Sequence, residues 1–258
     1  MTTETGVTRT LAHTATGKAV DVYAPPGAGP APAPAVLLWH GTGPDEREIM
    51  RPVAEAAAAR GVVVFAADWR SDAPDRGMAH LLDSLSFVRE RAAEYGGDPG
   101  RIVVAGWSAG AGAAVATALR PDLFGGWRPA AVVGIAGRYD VPARTTGSVP
   151  LKDLADAADL PATTPATATA TTSPVPVRLV HGSADDQVDV RFSWEFAAAL
   201  QGHGHPVRLE EPRTDHAGVI MSEFDPALGR LRPSTAEHAV EGGRITARAL
   251  VEAAGITD

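Results

Sequence analysis

Short apolar runs alternate with amphipathic stretches along most of this 258-residue chain. Positions 19–23 (A-V-D-V-Y) alternate apolar and polar residues as a half-buried strand does. The Pro/Gly/Ala segment 25–34 that follows is a turn. The run at 102–105 is apolar and β-branched, which suits a strand covered on both faces; the apolar runs 35–39 and 62–67 read as buried strands too, and 130–136 and 177–180 as the next strands. A shorter strand is expected at 207–210. Between the strands, 45–60, 79–95, 190–200 and 236–254 read as helices, and 109–114 opens another. In 79–95, Leu81, Leu82, Leu85, Val88 and Ala92 recur at helical spacing. Pro52 fits a first helical turn and Gly61 a helix stop.

Alternating strands and helices specify an α/β fold with a mostly parallel sheet and helices on both faces. One domain over residues 1–258 accommodates the pattern, without internal repeats. The segment 141–176 breaks the rhythm and reads as a short insertion. Within it 151–160 has the pattern of a short amphipathic helix, whereas 161–174 is mostly Thr, Ala and Pro, as in a surface loop. The alternative is a small lid in which Leu151, Leu154 and Leu160 face a substrate. Ligands of such sheets bind at the carboxyl ends of the strands.

The candidate chemistry lies at those ends. Residues 101–112 read R-I-V-V-A-G-W-S-A-G-A-G: a buried strand, a G-x-S-x-G turn and a helix of small residues. That context holds a serine hydroxyl exposed on a sharp turn, and Gly106 and Gly110 flank Ser108 where a Cβ would clash. Ser108 is therefore the candidate nucleophile. It needs a base, and the base an orienting acid. Of eight histidines, His216 lies in a loop beyond the 207–210 strand and is the candidate base. His13 and His80 lie away from strand ends, His203 and His205 in a turn, and His238 in a helix, while His40 and His181 read as structural. Asp185, in the turn after the 177–180 strand, is the candidate acid. Asp186 and Asp140 are the other candidates, and Asp215 reads as a local turn former. The oxyanion donors would be the backbone N–H groups of Ala109 and of Thr42, the latter in the loop His40-Gly41-Thr42-Gly43.

Composition narrows the partners. The formal charge is −8 with no basic block, which argues against nucleic acid. The absence of Cys removes disulfides, thiolate metal sites and a cysteine nucleophile. The first residues lack the basic and apolar regions of a signal peptide, and no apolar run approaches the ~18 residues of a membrane span. A cytoplasmic location, no membrane partner and a small-molecule substrate are expected. No metal or organic cofactor is implied, and nothing in the pattern fixes an oligomeric state. Most of the five tryptophans are expected in the core.

Taken together the motifs resemble the α/β-hydrolase superfamily of the serine esterase/lipase type, over about residues 20–254. H-G-T-G at 40–43 resembles that family's H-G-G-G loop, D-W-R at 68–70 its D-Y-R, and G-G-D-P-G-R at 96–101 its G-G-D-P-x-R. G-W-S-A-G is similar to its nucleophile turn and H-G-S-A-D at 181–185 to its acid turn, which maps the nucleophile, acid and base onto Ser108, Asp185 and His216. The resemblance implies hydrolysis of a carboxylic ester, thioester, lactone or amide through an acyl-enzyme. The chain lacks the cysteine typical of dienelactone hydrolases and the long N-terminal propeller of prolyl-oligopeptidase relatives. A segment 141–176 poor in aromatics favours small or medium esters over long-chain triglycerides. The competing reading is a hydrolase fold turned to lyase, cyclase or binding duty.

Overall fold

The strands are β1 (Thr8–His13), β2 (Ala19–Ala24), β3 (Ala33–Trp39), β4 (Val63–Ala67), β5 (Gly97–Trp107), β6 (Ala131–Ile135), β7 (Val177–Val180) and β8 (Val207–Glu210). They form one sheet in the order β1-β2-β4-β3-β5-β6-β7-β8. The computed structural model describes residues 6–27, 31–158 and 173–257. From β4 to β8 every neighbour is parallel, and β2 joins β4 antiparallel, with β1 antiparallel beyond it.

The continuous apolar runs are explained by two cores, one on each face. Residues of period two divide between them: Ala35, Leu37 and Trp39 point to one face and Val36 and Leu38 to the other, all fully buried. The first face is covered by α2 (Met78–Arg91), α3 (Ala109–Leu119) and α5 (Arg191–Gly202). The second is covered by α1 (Arg51–Ala58) and α6 (Glu237–Ala253). Central β5 sends Ile102 and Val104 to the first core and Val103, Ala105 and Trp107 to the second. Among the described residues no helix is long and apolar enough to cross a membrane.

Several elements differ from the sequence expectation. β1 was not anticipated: only Ala12 of its six residues is buried, so an edge strand that lacks an apolar stripe leaves no period-two signal. β5 starts ahead of the apolar run 102–105, pairing with β3 through Gly97 and Asp98 before a register shift. The helix expected at 45–60 divides into a 3-10 turn, Arg47–Met50, and α1 with Pro52 in its first turn, while Gly61 at φ +101° follows its end. After His216 stands a hairpin with no strand signal in its residues, β9 (Ser222–Asp225) and β10 (Arg230–Pro233).

The insertion also resolves in part. Its amphipathic stretch forms α4 (Pro150–Ala158), and Leu154 is 2% exposed in the core shared with α2, α3 and α5, with Leu151 packed against that core. Neither leucine takes the substrate-facing place that a lid would give it. Leu160 and most of the Thr/Ala run lie outside the described residues. Replacing Leu154 by Ala is expected to lower stability by about 2–5 kcal/mol, as for other buried leucines. Urea denaturation measures this, and a change under about 1 kcal/mol would remove Leu154 from the core.

Candidate active site

Ser108 sits between the last residue of β5 and the first of α3, at φ +55° and ψ −118°. A non-glycine residue in that region costs about 1–3 kcal/mol, so its surroundings must impose it. A Cβ on Gly106 would lie 2.1 Å from Gly110 O, and one on Gly110 would lie 2.5 Å from His40 O and 2.8 Å from Trp39 O. The glycines thus let the turn close on itself and let α3 seat on the end of β3. The Ser108 N–H donates to Ile135 O of the neighbouring strand at 2.8 Å, pinning the turn to the sheet.

The structure brings His216 and Asp185 to this serine. Nδ1–H of His216 donates to Asp185 Oδ2 at 2.7 Å, leaving Nε2 to accept from the Ser108 hydroxyl at 3.0 Å. Both the His216 and Asp185 side chains are buried, at 5% and 0% exposure. Burial pushes the Asp185 carboxyl upward, but hydrogen bonds from His181, His216 and the Val188 N–H outweigh it and hold the group well below the usual carboxylate range. Its Oδ1 accepts the N–H groups of Gln187 and Val188, both at 2.9 Å. The other acidic candidates lie elsewhere: Asp140 pairs with Arg138, Asp186 is exposed, and Asp215 accepts the Gly218 N–H in its own turn.

His181 and Trp107 add contacts that the motifs alone did not assign. Fully buried His181 places Nε2 2.8 Å from Val188 O and 3.2 Å from Asp185 Oδ2, while Nδ1 lies 2.7 Å from the Ser193 hydroxyl. Trp107, the variable residue before Ser108, donates from Nε1 to His216 O at 2.9 Å, with its ring 5.0 Å from the imidazole. Sequence marks position 107 only as the x of the motif. A tryptophan there can be assigned to His216 only once two segments 109 residues apart have met.

The H-G-T-G loop lies against the serine. A Cβ on Gly41 would be 2.8 Å from the Trp107 ring and 3.4 Å from Ser108 Cβ. Ala109 is the first residue of α3, so its N–H has no intrahelical acceptor. Thr42 is exposed in the loop, where its carbonyl accepts the Ser71 hydroxyl at 2.7 Å. His40 carries the loop: its Nδ1–H donates to Gly41 O at 3.0 Å, and Nε2 accepts the N–H groups of Glu46 and Trp69, each at 3.2 Å. Trp69 stacks on the imidazole and returns a hydrogen bond from its indole N–H to His40 O.

A pocket of about 120 Å³ opens at Ser108, walled by the start of α3, the end of β6, the loop 141–144 and Val188. Among the described residues no group of three or more His, Cys, Asp or Glu is placed to hold a metal ion.

Comparison with known proteins identifies the family and the fold. Residues 51–225, well over half the chain, match the prolyl oligopeptidase family. The chain belongs to that family. Its fold is the α/β-hydrolase fold. Solved structures of similar fold include Thermogutta terrifontis esterase 2 in its apo form, 20% identical over 98% of this chain and 97% of that one, TM-score 0.67. A bacterial heroin esterase is 19% identical over 96% of this chain and 84% of that one, TM-score 0.66. At these identities the likeness is one of fold. The family match ends at residue 225, so the β9 strand is its last matched element and β10 lies outside it.

The buried imidazole of His40 also makes stability depend on pH. Burial pushes its pKa down from 6.5 to about 3. The unfolded chain therefore binds a proton there that the folded protein refuses. As pH falls from about 6.5 toward 3 the unfolded state gains this proton and stability is lost, by up to a few kcal/mol at about 1.4 kcal/mol per pH unit. Urea midpoints across that range are expected to fall, and to fall less steeply in His40→Gln.

Proposed function

We propose that this protein is a serine hydrolase cleaving carboxylic esters of small substrates through an acyl-enzyme on Ser108. The observation that carries the reading is the unbroken hydrogen-bonded line from the Ser108 hydroxyl through His216 to Asp185, ending at an open pocket. In this reading Ser108 Oγ attacks the acyl carbon as its proton passes to Nε2 of His216. Asp185 fixes the imidazole tautomer and stabilises the imidazolium that forms. The backbone N–H groups of Ala109 and Thr42 take the oxyanion, a contribution of about 100- to 1000-fold per donor in related chemistry. The imidazolium then returns its proton to the leaving alcohol, and water repeats the sequence on the acyl-enzyme to release the acid.

Family membership supports serine chemistry, and the structures of similar fold support an ester over a peptide. Thermogutta terrifontis esterase 2 is described as phosphorylated by paraoxon, a reaction that requires an activated nucleophile in that protein. The pocket volume of about 120 Å³ supports a short chain on the part of the substrate that occupies it. Thioesters and lactones would use the same groups.

The test is incubation with a fluorophosphonate probe followed by intact mass spectrometry. A single adduct is expected on the wild type and none on Ser108→Ala or His216→Ala. In parallel, Ser108→Ala is expected to lower kcat on an activated ester about 1000-fold or more. A folded wild-type protein that takes no adduct, or a Ser108→Ala variant that keeps its turnover, overturns the reading.

A further inference from the structure

The walls of the Ser108 pocket are uneven in charge. Small apolar residues, Ala109, Gly112, Ala136 and Ala143, line part of it, whereas Arg138 and Arg144 are the charged residues that line it and no carboxylate does. This cationic lining belongs to a chain whose formal charge is −8. The two guanidinium groups are not equivalent. Arg138 is engaged by Asp140, with Nε 2.8 Å from one carboxylate oxygen, and lies over the Phe192 ring at 4.6 Å. Its charge is largely neutralised. Arg144 has no ion pair with any described residue and is exposed at the rim.

Arg144 stands on a fixed turn. Ala143 is buried, and its side chain rests on α3 where a Cβ on Gly112 would come within 2.9 Å of it. The Ala143 N–H donates to Ser148 O at 2.7 Å and the Gly147 N–H to Ala143 O at 2.8 Å, closing the loop. Thr145 and Ser148 are buried, and the Ser148 hydroxyl bonds Asp153 at the start of α4. The anchored turn leaves Arg144 as the exposed cation between two buried neighbours.

We propose that Arg144 makes this pocket selective for substrates bearing a carboxylate: short esters whose pocket-filling part ends in an anionic group paired with the guanidinium at the rim. The inference rests on Ser108 cleaving esters. A guanidinium without a competing carboxylate presents donors in the fork geometry that a carboxylate matches. A neutral ester of the same size would gain only the apolar wall.

Two matched substrate pairs test the proposal, each differing only in carboxylate against methyl ester. On the acyl side the pair is 4-nitrophenyl hydrogen glutarate and its methyl ester, with nitrophenolate release followed and the uncatalysed rate subtracted. On the alcohol side it is 4-acetoxybenzoate and its methyl ester, with acetate release followed. In at least one pair the wild type is expected to favour the carboxylate by about tenfold in kcat/KM, with Arg144→Ala removing most of that preference and leaving the neutral member within about twofold. Arg144→Lys is expected to keep part of it, and raising NaCl from about 0.05 to 0.5 M to shrink it, because the site is at the surface. No preference for the carboxylate in either pair, or a preference that survives in Arg144→Ala, overturns the proposal while hydrolysis of the neutral esters leaves the esterase reading standing. Failure of all four substrates together with no fluorophosphonate adduct overturns both.

Discussion

Everything chemical in this molecule depends on one turn that the backbone would not adopt unaided. Ser108 is held at positive φ between a central strand and a helix, and the cost of that conformation is met by packing that admits no Cβ at Gly106 or Gly110. The two glycines act on different neighbours. Gly106 lets the turn fold against the first turn of its own helix, and Gly110 lets that helix seat on the backbone at the end of β3. Because the same contact brings the His40 loop to the helix start, the geometry of the serine and that of the proposed oxyanion donors are set together. A shift in one is a shift in the other.

Buried polar groups hold the surrounding loops through hydrogen bonds and ion pairs. His40 is fully buried yet uses both ring nitrogens on the backbone groups of Gly41, Glu46 and Trp69. Nearby, Arg47 bonds Asp68 at 2.6 Å and lies 3.2 Å from Asp21, tying the segment before α1 to β2 and to the residue after β4. Burying such charges is tolerable only because they are paired, and breaking a pair leaves the partner uncompensated. On the other side of the serine, Asp185 collects donors from two histidines and two backbone N–H groups. Trp107 links the sides: its indole bonds the backbone of the His216 loop, and its ring fills the space that Gly41 leaves open. The loops of the site are bonded to one another as well as to the sheet.

The alternating elements, the mostly parallel sheet and the strand-turn-helix around Ser108 were legible in the sequence for a local reason. A strand covered on both faces must be apolar throughout, and a strand-turn-helix around a serine needs glycines at fixed offsets, so both constraints are written within a dozen residues. Edge strand β1 and the β9–β10 hairpin were not legible, because strands that bury little leave no apolar alternation to read. Leu154 shows the limit from the other direction. Its amphipathic helix was evident, but an apolar stripe does not say which surface it will meet, and the fold placed it on the α3–α5 core instead of the pocket. Likewise the role of Trp107 depends on a partner 109 residues away in the chain. Sequence spacing fixes what is bonded within a turn; tertiary packing decides which of many polar side chains meet across the sheet's end, and so the shape and charge of the pocket.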